Sequence, residues 1–238
     1  MLCCIIYLFT LIISATCSLV PFITPCRNGN HTCTLASARA ALPYIAAGQP
    51  ELDLKPLDPL HIPIINITQG PLQLTLTDNV ITGLKDCKIN DIRLDTTKLE
   101  QLIVILCTTE ETGNYKASGQ LVLLPVEGEG KYNIKTRDMI FKVTTEITTV
   151  PGDDGKLHWH VNKWKHTYQV KTGAHFQFDN LFNGNEVLAE PIHTFLNTNW
   201  KDVMEELAPP VIHSILEAIV NSIKAFLKAV PIDELVLS

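Results

Sequence analysis

The last quarter of the chain constrains the fold most. From Glu186 to Ala229 the apolar residues fall into two rows with steps of four: Val203, Leu207, Val211, Ile215, Ile219, Ile223 and Leu227 in one, Ile212, Leu216 and Val220 in the other. Steps of four line up along one side of a helix, and two neighbouring rows make a broad apolar stripe. Pro209 and Pro210 lack the amide proton that a helix uses, and predict a bend or break there. About 44 helical residues at ~1.5 Å each would reach roughly 65 Å, more than the width of a compact globule of this size. A helix so long and so apolar is not stable alone in water, so something extended has to cover it.

The middle of the chain supplies that cover. Leu72, Leu74 and Leu76 alternate with Gln73, Thr75 and Thr77, the period of a half-buried strand. Similar runs at 84–94, 99–108, 115–126, 131–136, 139–149, 156–171 and 174–179 are punctuated by TGN, EGEG and PGDDG, read as turns. Successive hairpins make an antiparallel meander. The expected fold is therefore α+β: a long C-terminal helix wrapped by a strongly curved antiparallel β-sheet, in an elongated molecule. Ahead of the sheet, the alanine-rich TLASARAALPYIAAG predicts a helix that stops at Gly48 and is kinked or divided at Pro43. In PELDLKPLDPL, residues 50–60, Pro50, Pro56 and Pro59 push their preceding residues towards extended backbone. That segment reads as a rigid strap from helix to sheet, with Leu52, Leu54, Leu57 and Leu60 turned inward. No low-complexity linker or internal repeat divides residues 18–238, which read as a single domain.

Residues 1–17, MLCCIIYLFTLIISATC, hold an apolar stretch followed by small residues, and read as a secretory signal peptide cleaved after Cys17. A buried N-terminal strand is the alternative. Cleavage leaves cysteines 26, 33, 87 and 107, an even set that suits an oxidising compartment. Cys26 and Cys33 flank the polar RNGNHT and can close a small ring. A symmetric hairpin about the turn at Asp95 to Lys98 sets Ile92 opposite Leu102 and Cys87 opposite Cys107, close enough for a bridge; two free core cysteines are the alternative. The sequons at Asn30 and Asn66 are usable glycosylation sites in a secreted chain.

Catalytic patterns are scarce. There is no GxSxG elbow, HExxH or Walker loop, and no cofactor is implied. His158 and His160 in LHWHV share a strand face and could give zinc two ligands, short of the three or four it takes. The simpler reading puts both on the solvent face, opposite Leu157, Trp159 and Val161, with no metal. A net charge of −6 disfavours nucleic acid and anionic membrane as partners. No segment after the leader reads as long and uncharged enough to insert in a membrane. With 46% apolar and 18% charged residues, the interior is either simply well packed or holds a dry gap that accepts an apolar guest.

Three features of the chain resemble the insect takeout and haemolymph juvenile-hormone-binding proteins: the Cys26 to Cys33 pair, PELDLKPLDPL, and LFNGNEVLAEPIHTFLNTNW at residues 181–200. The resemblance covers essentially all of the mature chain. It implies a tubular lipid-binding-like fold, secretion into haemolymph, and non-covalent carriage of a juvenile hormone, another terpenoid or a lipid in an apolar tunnel, without enzymatic activity. Asp53 departs from the family's usual glycine and Asn185 from its frequent aspartate. Cys87 and Cys107 are not part of the takeout pattern, and hormone-binding members place their second bridge elsewhere, which favours a carrier of some other lipophile. The residues expected to line the tunnel are Ile62, Ile64, Phe195, Trp200, Val203, Met204, Leu207, Val211 and Ile215, with Tyr115 and Tyr132 as polar handles. The competing reading is a secreted signalling protein that acts through a surface partner or receptor and transports nothing.

Overall fold

The computed structural model describes residues 18–95 and 97–237; the expected signal peptide lies outside them. In chain order the main elements are β1 (Cys26–Arg27), α1 (His31–Ala47), β2 (Leu60–Gln69), β3 (Leu72–Thr82), β4 (Lys88–Asp95), β5 (Glu100–Leu121), β6 (Leu124–Pro151), β7 (Leu157–Phe178), α2 (Glu186–Thr198), α3 (Trp200–Leu207), α4 (Pro209–Ala229) and β8 (Val236–Leu237). Six strands form one antiparallel sheet in the order β2-β3-β5-β6-β7, with β4 paired to the free half of β5. The two-residue strands β1 and β8 pair in parallel and tie the C-terminus to the N-terminal loop.

Helix α4 packs against both β2 and β7, the two outer strands of that order. One helix touches both margins of a sheet only if the sheet curls around it. Bulges supply the curvature. Register shifts fall between Thr77 and Val80, Cys107 and Thr109, and Arg137 and Met139 on successive strand pairs, and Asp78 and Asp138 take φ of 53° and 51°. Each bulge adds twist and bend, and together they crease the sheet across its width. The stripe of α4 fills the concave side: Leu216 and Val220 are completely buried, each worth about 1.5–3 kcal/mol of apolar burial.

Several expectations from the sequence are corrected. The C-terminal helix is three helices: besides the break at Pro209–Pro210, Asn199 leaves helical geometry and separates α2 from α3. α1 runs through Pro43 without dividing. The expected strand at 99–108 and the first part of 115–126 are one strand, β5, which ends at Leu121 and turns at Val122–Leu123 into β6, so that the expected 115–126 strand spans a hairpin; 131–136 with 139–149 are one strand, as are 156–171 with 174–179. TGN and EGEG are not turns. A Cβ on Gly113 would sit 2.7 Å from the Thr77 carbonyl oxygen and 2.9 Å from the Tyr132 ring. Glycine there admits a close neighbour inside a strand. The segment Leu84–Asp86 is a short 3-10 turn and not strand. α4 is long and apolar enough to cross a membrane by length and composition, against the expectation that no such segment exists; in this fold Val211, Ile212, Ile215, Leu216, Val220 and Leu227 are buried within the protein.

Both disulfides are formed, Cys26–Cys33 and Cys87–Cys107. The second pairing arises by a different route from the symmetric hairpin. Near the turn Ile92 faces Ile103, one residue out, and a bulge between Ile89 and Asp91 restores the register in which Lys88 faces Leu106 and Cys87 meets Cys107. The leucines of the proline strap turn inward as expected, Leu52, Leu54, Leu57 and Leu60 all being buried, but the strap opens with a 3-10 turn at Pro50–Leu52 instead of extended chain. Asp53 stands at φ 56°, left-handed backbone that glycine takes without strain. Asn185 caps α2, its side chain accepting from Leu188 N–H, as aspartate would. From α2, Asn197 Oδ1 accepts from Phe176 N–H at 2.8 Å and Nδ2 donates to Phe176 C=O at 3.0 Å, closing part of the β7 edge.

Candidate functional site

Two cavities lie in line along α4. The larger, about 610 Å³, sits between α1, β4, the first half of β5 and the C-terminal half of α4. Its wall is mostly apolar, with Ala38 and Leu42 from α1, Ile92 from β4, Ile103 from β5, and Ile219 and Ile223 from α4, and with polar side chains such as His31, Arg93 and Gln101 among the rest. Alanines on α1 leave open the volume that larger side chains would fill. α1 is held over this space by the Cys26–Cys33 ring, by Thr24 N–H donating to Ser37 Oγ at 2.9 Å, and by Arg39 Nε–H donating to the Ile89 carbonyl at 2.8 Å. At the rim His31 Nε2 lies 2.6 Å from Asp91 Oδ1, and Arg93 Nε 2.8 Å from Oδ2. The hydrogen bond from His31, reinforced by the Arg93 charge, holds the Asp91 carboxyl below the usual carboxylate range.

The smaller cavity, about 60 Å³, lies further along the helix where β5, β6 and β7 face α2, α3 and the start of α4. Ile215 lines it and Ile219, one turn on, lines the larger. On β5, Thr109 and Glu111 line the smaller, Ile103 and Ile105 line the larger, and bridged Cys107 falls between them in sequence. Three polar side chains stand in an otherwise apolar wall: Thr109, Thr136 and Glu111. Thr109 Oγ1 and Thr136 Oγ1 are 2.8 Å apart.

Glu111 is 6% exposed and belongs to a short buried chain of hydrogen bonds. Asn79 points Nδ2 at the Ile62 carbonyl, 2.8 Å, and at the Leu76 carbonyl, 3.4 Å, so its Oδ1 faces Tyr132 Oη at 2.5 Å. Tyr132 has one proton, and Asn79 Oδ1 can only accept it. The 2.7 Å contact between Tyr132 Oη and Glu111 Oε1 is then a hydrogen bond only if Glu111 carries a proton and donates. Burial drives the same way, pushing the Glu111 carboxyl up to about 7. Burial, then the neighbouring Glu111, also raises the Tyr132 hydroxyl far above its ordinary range.

The structure distributes the residues singled out from the sequence as follows. Val203, Met204, Leu207, Val211 and Ile215 converge on the smaller cavity. Phe195, Trp200 and Ile62 pack against the main core without lining either space. Ile64 is 55% exposed and faces solvent, a correction with a clear cause. The burial phase of β2 switches between Ile62 and Ile65, opposite the left-handed Asp78 of β3, so the face that is inward at Leu60 is outward at Ile64. Tyr115 and Tyr132 are both buried but spend their hydroxyls internally, Tyr115 donating to the Asp179 carbonyl at 2.7 Å. Reading residue types alone missed α1, β4 and Glu111; the small residues of α1 were the available signal for the first.

His158 also departs from expectation. It is buried under the Gly152–Asp154 turn, with Nε2 3.1 Å from Asp154 Oδ1, while Leu157 is 57% exposed and His160 is exposed. Among the described residues no group of three or more His, Cys, Asp or Glu side chains is placed to hold a metal ion. Asn30 and Asn66 are both exposed; Asn30 caps α1, accepting from Cys33 N–H.

Comparison with known proteins places this architecture. A solved structure, the crystal structure of Epiphyas postvittana Takeout 1, superposes with a TM-score of 0.88 at 30% identity, over 91% of this chain and 100% of that one. The circadian clock-controlled protein daywake of Drosophila melanogaster is 24% identical over 221 residues, 88% of this chain and 85% of its own length. The juvenile hormone-binding protein of Manduca sexta is 33% identical over 82 residues, 33% of this chain and 36% of that protein. Residues 5–237 match the family model of the haemolymph juvenile hormone binding proteins. The chain therefore belongs to the haemolymph juvenile hormone binding protein family, with the takeout proteins among its relatives.

Proposed function

We propose that the protein is a secreted, non-enzymatic carrier that binds a small hydrophobic molecule, a terpenoid or lipid, without covalent chemistry. The observation that carries this reading is the mostly apolar cavity of about 610 Å³ under α1, within the range of sites that enclose a small organic ligand. Desolvation supplies the affinity. A ligand of about 15 carbons at ~0.8 kcal/mol each would gain on the order of 12 kcal/mol. Lost translational and rotational freedom removes at least roughly 4 kcal/mol, leaving a dissociation constant on the order of micromolar.

The body of the ligand lies in the larger cavity, and Val203, Met204, Leu207, Val211 and Ile215 supply apolar wall to the smaller one further along α4. Residues 18–238 act as one domain, and Asn30 and Asn66 are glycan acceptors on its exterior. Ala38 lines the larger cavity on a half-buried helix face, so Ala38→Trp places an indole in the ligand's space. The variant should keep the wild-type circular dichroism and lose uptake of an apolar fluorescent dye. A folded variant that binds the dye as well as the wild type refutes the site. Wild-type protein that binds no dye and yields no extractable lipid from its source favours the surface-signalling reading.

A further inference from the structure

The smaller cavity has a chemistry that apolar carriage does not use. Its polar side chains, Glu111, Thr109 and Thr136, lie on one inward face of β5 and β6, with Thr109 directly opposite Thr136 and Glu111 two residues along. Burying a carboxyl group is costly unless its oxygens are paired. Glu111 Oε1 is paired with Tyr132, but among the described residues no hydrogen bond reaches Oε2. With the proton committed to Oε1, as the orientation of Asn79 and the single proton of Tyr132 require, Oε2 is a carbonyl oxygen and therefore an acceptor. In the threonine pair one hydroxyl donates to the other, and the second keeps a proton to give.

An acceptor and a donor beside one small space call for a group that both donates and accepts. The geometry points to a ligand hydroxyl: the inner chamber binds the alcohol end of an apolar molecule, Glu111 Oε2 accepting from it and the Thr109–Thr136 pair donating to it. This rests on the carrier reading, since a space of about 60 Å³ takes only the end of a molecule whose body lies in the larger cavity. An ester, ether or hydrocarbon end would leave Oε2 unpaired and pay its desolvation without return. Glu111 and its neighbours are thus specificity-determining residues that favour a free alcohol over its capped forms.

The test is a competition series with farnesol, farnesyl methyl ether and farnesene against an apolar fluorescent dye. Wild-type protein should bind the alcohol about tenfold more tightly than the methyl ether. Glu111→Leu should bring that ratio close to one. Glu111→Gln should retain it, because its amide donates to Tyr132 and its carbonyl accepts from the ligand. Should Glu111→Leu not fold, the double variant Thr109→Val with Thr136→Val removes the opposite partner and should also lower the ratio. Equal binding of alcohol and ether by the wild type overturns the assignment, as does a ratio that survives both the leucine and the double valine changes. Farnesene reports on the carrier reading itself: if none of the three displaces the dye, that reading falls and this one with it, whereas displacement by all three with equal affinity removes only the alcohol subsite.

Discussion

Ionising Glu111 should destabilise the fold by an amount that can be worked out. Its carboxyl is raised from an ordinary 4.5 to about 7 by burial, and returns to the ordinary value on unfolding. The folded state therefore holds this proton more tightly than the unfolded state. The stability the neutral acid provides is fully present below about pH 4.5 and is lost as pH rises through about 7, levelling off above that. At about 1.4 kcal/mol per pH unit, the loss totals about 3 kcal/mol. Glu111→Gln isolates the effect, because glutamine is close in size, can donate to Tyr132 Oη and does not titrate. Urea unfolding of both proteins at pH 4.5, 5.5, 6.5, 7.5 and 8 gives the difference in stability at each pH, and groups elsewhere cancel in that difference. The wild type should lose about 3 kcal/mol relative to the variant across the series. Parallel curves would refute the neutral, proton-donating Glu111 and the hydrogen-bond chain built on it.

Three further outcomes test the fold. Ile65→Ala should cost about 2–5 kcal/mol in urea unfolding and Ile64→Ala no more than about 0.5 kcal/mol, because the phase of β2 switches between Ile62 and Ile65; equal costs would show that it does not. Replacing Cys87 and Cys107 together by serine should cost about 3 kcal/mol, against about 2 kcal/mol for Cys26 with Cys33, since the sequence separations are 20 and 7; differential scanning calorimetry would rank them. Gly113→Ala should lower the melting temperature strongly, its Cβ falling 2.7 Å from the Thr77 carbonyl oxygen; a variant as stable as wild type would show that β3 can move away.

The residues that carried the family resemblance have structural work that follows from their chemistry. The leucines of PELDLKPLDPL anchor the strap, Leu52 and Leu54 in a small cluster with Val20 and Val230, Leu57 and Leu60 in the main core. In LFNGNEVLAEPIHTFLNTNW, Asn185 starts α2 and Asn197 pairs with the backbone of Phe176. The inward turn of the strap leucines was legible from residue type, whereas the pairing of Asn197 with Phe176, 21 residues away, was not. The paired cavities were not legible, since a cavity is what neighbouring elements leave unfilled and appears in no single segment.

By itself the sequence determined the apolar stripe of the C-terminal helix, the alternation of the strands, the early disulfide ring and the family, because periodicity, cysteine spacing and motif residues act locally. Tertiary structure decided where those patterns change phase. The bulge at Asp78 turns Ile64 outward, and the bulge between Ile89 and Asp91 brings Cys87 to Cys107. Gly113 sits within a strand because Tyr132 and the Thr77 carbonyl approach it. Tertiary structure also raised the Glu111 carboxyl, by burial, and placed beside it Tyr132 of β6, which is itself bonded to Asn79 of β3. Each outcome depends on a neighbour distant in sequence, and local pattern carries no record of that neighbour until the sheet has curled around α4.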